Sequence, residues 1–234
     1  MSDYNKKPYK LEYDAFQKFI KGKSFSFLEI FILFCKSLLS LFEGLIRNIP
    51  GAIGFKIRYY YYKIVLKEIG KNVLIDVGVI LSGPANITID EYTWIEPYCI
   101  INAMLGEVKI GKRVHMGSFI NIGSREPIII EDYVAIGASS KIYSNSQTVK
   151  PNKRMSGSMI PEENKAFYSA PIYIRKDSFI GANVVILPGV EVGHGAVVGA
   201  NSVLTKSVLP WNIVSGIPAK KLMERKKLNF LKNN

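Results

Sequence analysis

Large aliphatic residues return every six positions through the middle of the chain. The series runs Ile69, Ile75 and Leu81; Ile89, Ile95 and Ile101; Ile110, Met116 and Ile122. It continues at Ile130, Ile136 and Ile142; Ile174, Ile180 and Ile186; Val192, Val198 and Leu204. Four places after each, fifteen of the eighteen residues are Ser, Thr, Ala, Val or Cys, the exceptions being Leu105, Ile120 and Glu126. A six-residue step is a short strand plus a turn, with one large side chain pointing inward and a small one sharing the corner. Three steps close a triangular coil, so the pattern predicts a mainly β chain built as a parallel β-helix of six coils, about 29 Å tall. A sandwich of short strands would instead alternate with period two.

Between successive groups of three steps lie insertions of two, three, two, twenty-six and zero residues. All of them therefore fall at one corner of the triangle. The long one, residues 148–173, is a polar excursion with Pro151, Gly157, Pro161 and Pro171. A long loop on a rigid solenoid is a place for function. Before the repeat the pattern changes. FSFLEIFILFCKSLLSLFEGLI (25–46) is apolar apart from Glu29, Lys36 and Glu43, which are spaced by seven and share one stripe of a helix. Asn48, Pro50 and Gly51 end it, and a second helical run follows over 55–68, with Arg47, Lys56, Arg58 and Lys63 near four tyrosines. The organisation is thus a helical segment (1–68), a β-helix with its extended loop (69–209), and a C-terminal extension (210–234) expected to hold a short helix.

Charge follows the same division. Of the net +12, residues 1–68 carry +6, residues 69–205 balance at zero and residues 206–234 carry +6. The basic excess is terminal and forms no stripe on one face, which argues against nucleic acid as a partner. Two cysteines, Cys35 and Cys99, give neither a disulfide framework nor metal spacing. Two histidines, His115 and His194, are too few for the three-His zinc site of β-helix carbonic anhydrases, so no metal is expected. No signal peptide is visible in the polar stretch from Met1 to Tyr13. Three charges make spanning a bilayer costly for 25–46. The segment 25–68 is expected to cap the first coil, to make peripheral contact with a membrane, or both.

The repeat, the stretch IGANVVILPGVEVGHGAVVGANSVLTKSVLP (180–210) and the closing NIVSGIPAKKL (212–222) resemble the hexapeptide-repeat acyltransferases of the left-handed β-helix superfamily. The closing stretch looks like the maltose and galactoside O-acetyltransferases. VHMGSFINIG, KIYSNS and SAPIYI look closer to the branch that builds bacterial surface polysaccharides. The resemblance covers residues 69 to about 225. It implies acetyl transfer from acetyl-CoA by direct attack on the thioester, in a homotrimer with active sites at subunit interfaces. That chemistry needs a base and an oxyanion donor. His115, in a V-H-M context, is the candidate catalytic base. His194, in the turn VGHG, reads as a solvent-facing corner. Where the maltose and galactoside enzymes place a base on entering the long loop, this chain has Gln147, so either His115 takes the role or the acceptor is already nucleophilic.

Glu126 is a candidate to orient His115 or to contact substrate, and Asn102, Asn121, Asn145 and Gln147 are candidate acceptor contacts. Carried over from the family, Ala182 and Ala200 would lie against the pantetheine arm, while Thr205, Lys206, Lys220 and Lys221 would face the phosphates and adenosine. The expected function is O-acetylation of a sugar hydroxyl in lipopolysaccharide or capsule biosynthesis, in the cytoplasm or on the inner face of the cytoplasmic membrane. The alternatives are N-acetylation of a nucleotide-linked amino sugar and a non-catalytic β-helix scaffold.

Overall fold

A computed structural model describes residues 15, 18, 19, 21–150, 152–155 and 164–227. Two helices precede the solenoid, α1 (Phe27–Asn48) and α2 (Gly51–Val65). Ser26 caps α1: its hydroxyl accepts from the Glu29 amide while the Glu29 carboxylate accepts from the Ser26 amide. Pro50 begins the second helix after the break.

The six coils then follow as strand triplets. They are β1 (Glu68–Ile69), β2 (Leu74–Ile75) and β3 (Ile80–Ser82); β4 (Ile87–Ile89), β5 (Trp94–Ile95) and β6 (Ile100–Asn102); β7 (Val108–Ile110), β8 (His115–Met116) and β9 (Asn121–Gly123). Next come β10 (Ile128–Ile130), β11 (Ala135–Ile136) and β12 (Lys141–Tyr143), then a hairpin of β13 (Asn145–Gln147) and β14 (Phe167–Ser169). The last two coils are β15 (Ile172–Ile174), β16 (Phe179–Ile180) and β17 (Val185–Ile186), then β18 (Glu191–Val192), β19 (Val197–Val198) and β20 (Val203–Leu204). Each triplet contributes one strand to each of three parallel sheets, in the orders β1-β4-β7-β10-β15-β18, β2-β5-β8-β11-β16-β19 and β3-β6-β9-β12-β17-β20. These are the first, second and third faces of a left-handed prism.

Of the eighteen aliphatic positions, seventeen are buried, and Ile69 packs partly buried against the same core beneath α2. All the insertions lie between the third and first faces, and the long one leaves as the antiparallel hairpin β13–β14. The exceptions at Leu105 and Glu126 are explained by this corner. There the inward small position is filled from the next strand, by Ile87, Val108, Ile128 and Ile172, all fully buried.

The C-terminal extension differs from the expected helix. β21 (Asn212–Gly216) pairs in parallel with β19 as a seventh rung of the second face. Gly216, at φ 106°, then turns the chain and β22 (Ala219–Glu224) returns antiparallel. Ala219 to Glu224 are good helix formers, but an unpaired sheet edge competes for their backbone groups and wins. Residues 228–234 lie outside the described residues. The prism is thus covered at its first coil by α2 and at its last by this hairpin.

Candidate active site

His115 lies on β8, with Met116 pointing into the core, so its side chain stands on the outer surface of the second face. The pairing Trp94↔His115 puts Glu96 beside Gly117, one coil below. Gly117 has no side chain, and a Cβ there would come within 2.7 Å of the Ala138 amide. The second face is thus closely stacked at this step, and on its outer side Glu96 Oε1 lies 2.9 Å from His115 Nε2. Its Oε2 accepts from the Ser118 amide at 3.0 Å and the Ser118 hydroxyl at 2.9 Å. The Ser118 hydroxyl is the main influence holding the Glu96 carboxyl below the usual range; desolvation opposes it and His115 adds to it.

An ionised carboxylate only accepts, so Nε2 of a neutral His115 must carry the hydrogen. The lone pair then sits on Nδ1, which has no hydrogen-bond partner among the described residues. This is the state a general base needs. Three aromatic side chains border the pair. The Trp94 ring centroid is 5.2 Å from that of His115, and Tyr98 and Phe119 stack at 5.4 Å on the adjacent corner. Both stacked residues are exposed and held at φ near +60°. The same φ recurs at the turns of the other coils, at Tyr92, Arg113, Tyr133, Ser139, Asn183 and Asn201 among them, so it belongs to the coil geometry, and at this corner it aims two aromatic rings outward.

The expected acceptor contacts lie elsewhere. Asn102, ending β6, and Asn145, opening β13, line a 140 Å³ cavity at the insertion corner with Gly123, Ser124 and Arg125. The Arg125 guanidinium sits 4.9 Å above the Phe167 ring of the hairpin. Asn121 stands on the third face, and Gln147 pairs with Phe167 at the end of β13. Glu126 belongs to the insertion corner too, its amide bonded to the Ser144 hydroxyl. The residue against His115 is Glu96, not Glu126. The sequence signal for Glu96 was available: eighteen residues per coil plus the three-residue insertion set Trp94 under His115. His194 packs edge-on against Trp211 at a far corner.

The cofactor candidates are all exposed. Ala182 and Ala200 occupy successive turns between the second and third faces, two coils or more above His115, where Asn183 and Asn201 form a side-chain ladder at 2.9 Å. Thr205 and Lys206 follow β20 beyond the third face. Lys220 and Lys221 lie on β22, with Lys221 paired to Glu224 at 2.7 Å. The chain thus sets small residues along the corner that also carries the Glu96–Ser118 contact, with cations near the last coil.

A histidine whose tautomer is set by a carboxylate, standing on the outer face of a hexapeptide-period β-helix, fits one class, the β-helix acyltransferases. Comparisons agree. The family described as bacterial transferase hexapeptide (six repeats) matches residues 171–206. The dTDP-4-amino-4,6-dideoxy-D-glucose acyltransferase of Escherichia coli is 31% identical over 161 residues, covering 69% of this chain and 83% of that protein. WbbJ of Escherichia coli K12, assigned to lipopolysaccharide biosynthesis as an O-acetyl transferase, is 31% identical over 49% of this chain and 59% of its own length. The solved structure of AntD, an N-acyltransferase from Bacillus cereus in complex with dTDP and 3-hydroxybutyryl-CoA, superposes with a TM-score of 0.67 at 30% identity, covering 72% of this chain and 88% of that one. The chain belongs to the hexapeptide-repeat transferases and is an acyltransferase.

Proposed function

We propose that the chain transfers an acetyl group from acetyl-CoA to a sugar hydroxyl of a surface-polysaccharide precursor, with His115 as general base. The Glu96–His115 contact carries this reading. A hydroxyl is a poor nucleophile until its proton is removed as it attacks, and His115 Nδ1 is the acceptor for that proton. The hydroxyl oxygen bonds to the thioester carbonyl carbon, and the proton moves to Nδ1. The tetrahedral intermediate then collapses, breaking the carbon–sulfur bond. The imidazolium returns the proton to the departing thiolate, so the products are an ester and a free thiol. Glu96 fixes the ring and stabilises the imidazolium, while Ser118 keeps Glu96 ionised. Exposed Ala182 and Ala200, with Lys206 and Lys220 beyond them, suit an extended, phosphate-bearing cofactor. The similarity to WbbJ supports a polysaccharide acceptor.

The site is read as shared between copies of a homotrimer. His115 and the Asn102–Asn145 cavity lie at different corners of one prism, so a single site holding both needs two chains. A second reading, N-acylation of a nucleotide-linked amino sugar, is supported by the 31% identity to the Escherichia coli dTDP-amino-sugar acyltransferase over most of that protein. Thiol release from acetyl-CoA across a panel of sugars, lipid-linked sugars and dTDP-amino sugars tests both. A product cleaved by mild alkaline hydroxylamine is an ester and supports the first reading. A resistant product made only from amino sugars replaces it with the second. A chain that binds no acyl-CoA would restore the scaffold reading.

A further inference from the structure

Helix α1 is almost uncovered. Of its 22 residues only Ile46, near its end, is buried. At 1.5 Å per residue it runs about 33 Å, most of it clear of the described chain. Glu29, Lys36, Ser40, Glu43 and Arg47 recur at steps of seven, four, three and four, which places them on one narrow stripe. Apart from Ser37 and Asn48 beside that stripe, the rest of the circumference is apolar and largely exposed: Phe27 86%, Leu28 65%, Leu39 68% and Leu45 63% among them. Helix α2 extends the surface with exposed Ile53, Tyr60 and Ile64. Contiguous apolar area on this scale marks a docking surface.

We propose that α1 and the outer side of α2 dock on an anionic lipid bilayer, with α1 lying in the plane of the interface. Three observations support an interfacial bilayer site, the first two against a second copy and the third against a spanning helix. First, the apolar arc exceeds half the helix circumference, wider than the two-in-seven seam that helix pairing covers. Second, the charges fit. Glu29 is engaged by Lys18 and Ser26, and Glu43 pairs with Arg47 at 3.0 Å. Lys21, Lys23, Lys56 and Lys63 are exposed and make no ion pair among the described residues. An apolar arc flanked by unpaired cations matches acyl chains beneath anionic headgroups. Third, no described helix is long and apolar enough to cross a membrane, which leaves the interface as the lipid environment that suits α1.

The joint is rigid. Arg58 is fully buried, and its guanidinium donates to Ile75 O of the first coil at 2.7 Å and to Ile49 O at the end of α1 at 2.6 Å. The Gly78 amide donates to Arg47 O at 3.0 Å. Gly54 lies so near Ile49 O that a Cβ would sit 1.9 Å from it. Docking therefore holds the prism in one orientation, with His115 two coils, about 10 Å, from the coil that α2 covers.

Vesicle flotation of the full chain tests the proposal. Vesicles of phosphatidylcholine alone are compared with vesicles containing added phosphatidylglycerol. Binding at least about tenfold tighter to the anionic vesicles, weakened by salt, is expected. Phe34→Glu with Leu38→Glu, both exposed positions, should abolish flotation with the thermal melt unchanged. Lys21→Glu with Lys23→Glu should remove only the anionic preference. Failure to float with either vesicle overturns the proposal. So does unchanged flotation of the Phe34→Glu, Leu38→Glu protein. If that protein instead falls in mass by light scattering, a second copy covers the face.

Discussion

At the scale of single residues, three side chains meet at one edge of the second face. His115 Nε2 meets Glu96, Glu96 meets Ser118, and Nδ1 has no hydrogen-bond partner among the described residues. Glu96→Gln keeps the shape of the contact but removes its charge. It should lower kcat about tenfold to a hundredfold while leaving KM for the acyl donor nearly unchanged, because the carboxylate acts through His115 rather than on the cofactor. Steady-state kinetics against acyl-CoA concentration separate the two constants. Ser118→Ala removes the main influence that lowers the Glu96 pKa. A carboxyl whose folded pKa is depressed adds stability above its unfolded value and loses it as pH falls through the folded one. In Ser118→Ala the folded pKa rises toward the unfolded one, so acid unfolding followed by circular dichroism should begin at a higher pH than in the parent chain. The scarcity of bases points to His115 in the sequence, and the structure adds the carboxylate beside it. Glu96 was not singled out, because its role appears only when coils are stacked in register rather than read along the chain.

At the scale of elements, the glycines after the strands of the second face show how little room a coil leaves. A Cβ on Gly137 would lie 2.5 Å from the Ala182 amide, against backbone that cannot move aside cheaply. Gly137→Ala should cost about 1–3 kcal/mol in urea unfolding. The helix joint offers a second case. Arg58→Met keeps much of the volume but leaves Ile75 O and Ile49 O without their donor, at a cost of about 1–3 kcal/mol for one buried and one half-buried acceptor. The hexad period announced every strand of the six coils, since each buried aliphatic residue lies one step from the next. The C-terminal helix expectation failed because propensity is a local property. The pairing of β21 with β19 and the reversal at Gly216 depend on a partner strand far back in sequence. Glu126 misled for a similar reason. Its place in the count put it near the insertion corner, but nothing local revealed that His115 occupies a different edge.

At the scale of the whole molecule, the chain is a neutral prism with two basic ends. The N-terminal excess accompanies an exposed apolar helix, and the C-terminal excess sits on and around the closing hairpin. In the proposed homotrimer, His115 of one copy and the Asn102–Asn145 cavity of the next, which lie at different corners of one prism, would meet at each of three interfaces. Light scattering in mild detergent should therefore report three times the 26.2 kDa chain mass. The role of His115 is decided by the rate of thiol release from acetyl-CoA with the best acceptor, for the parent chain and His115→Ala, alongside acyl-CoA binding by calorimetry. Unchanged binding and a loss of about a hundredfold or more in kcat are expected. Turnover equal to that of the parent chain would contradict that role and move the proton acceptor away from His115.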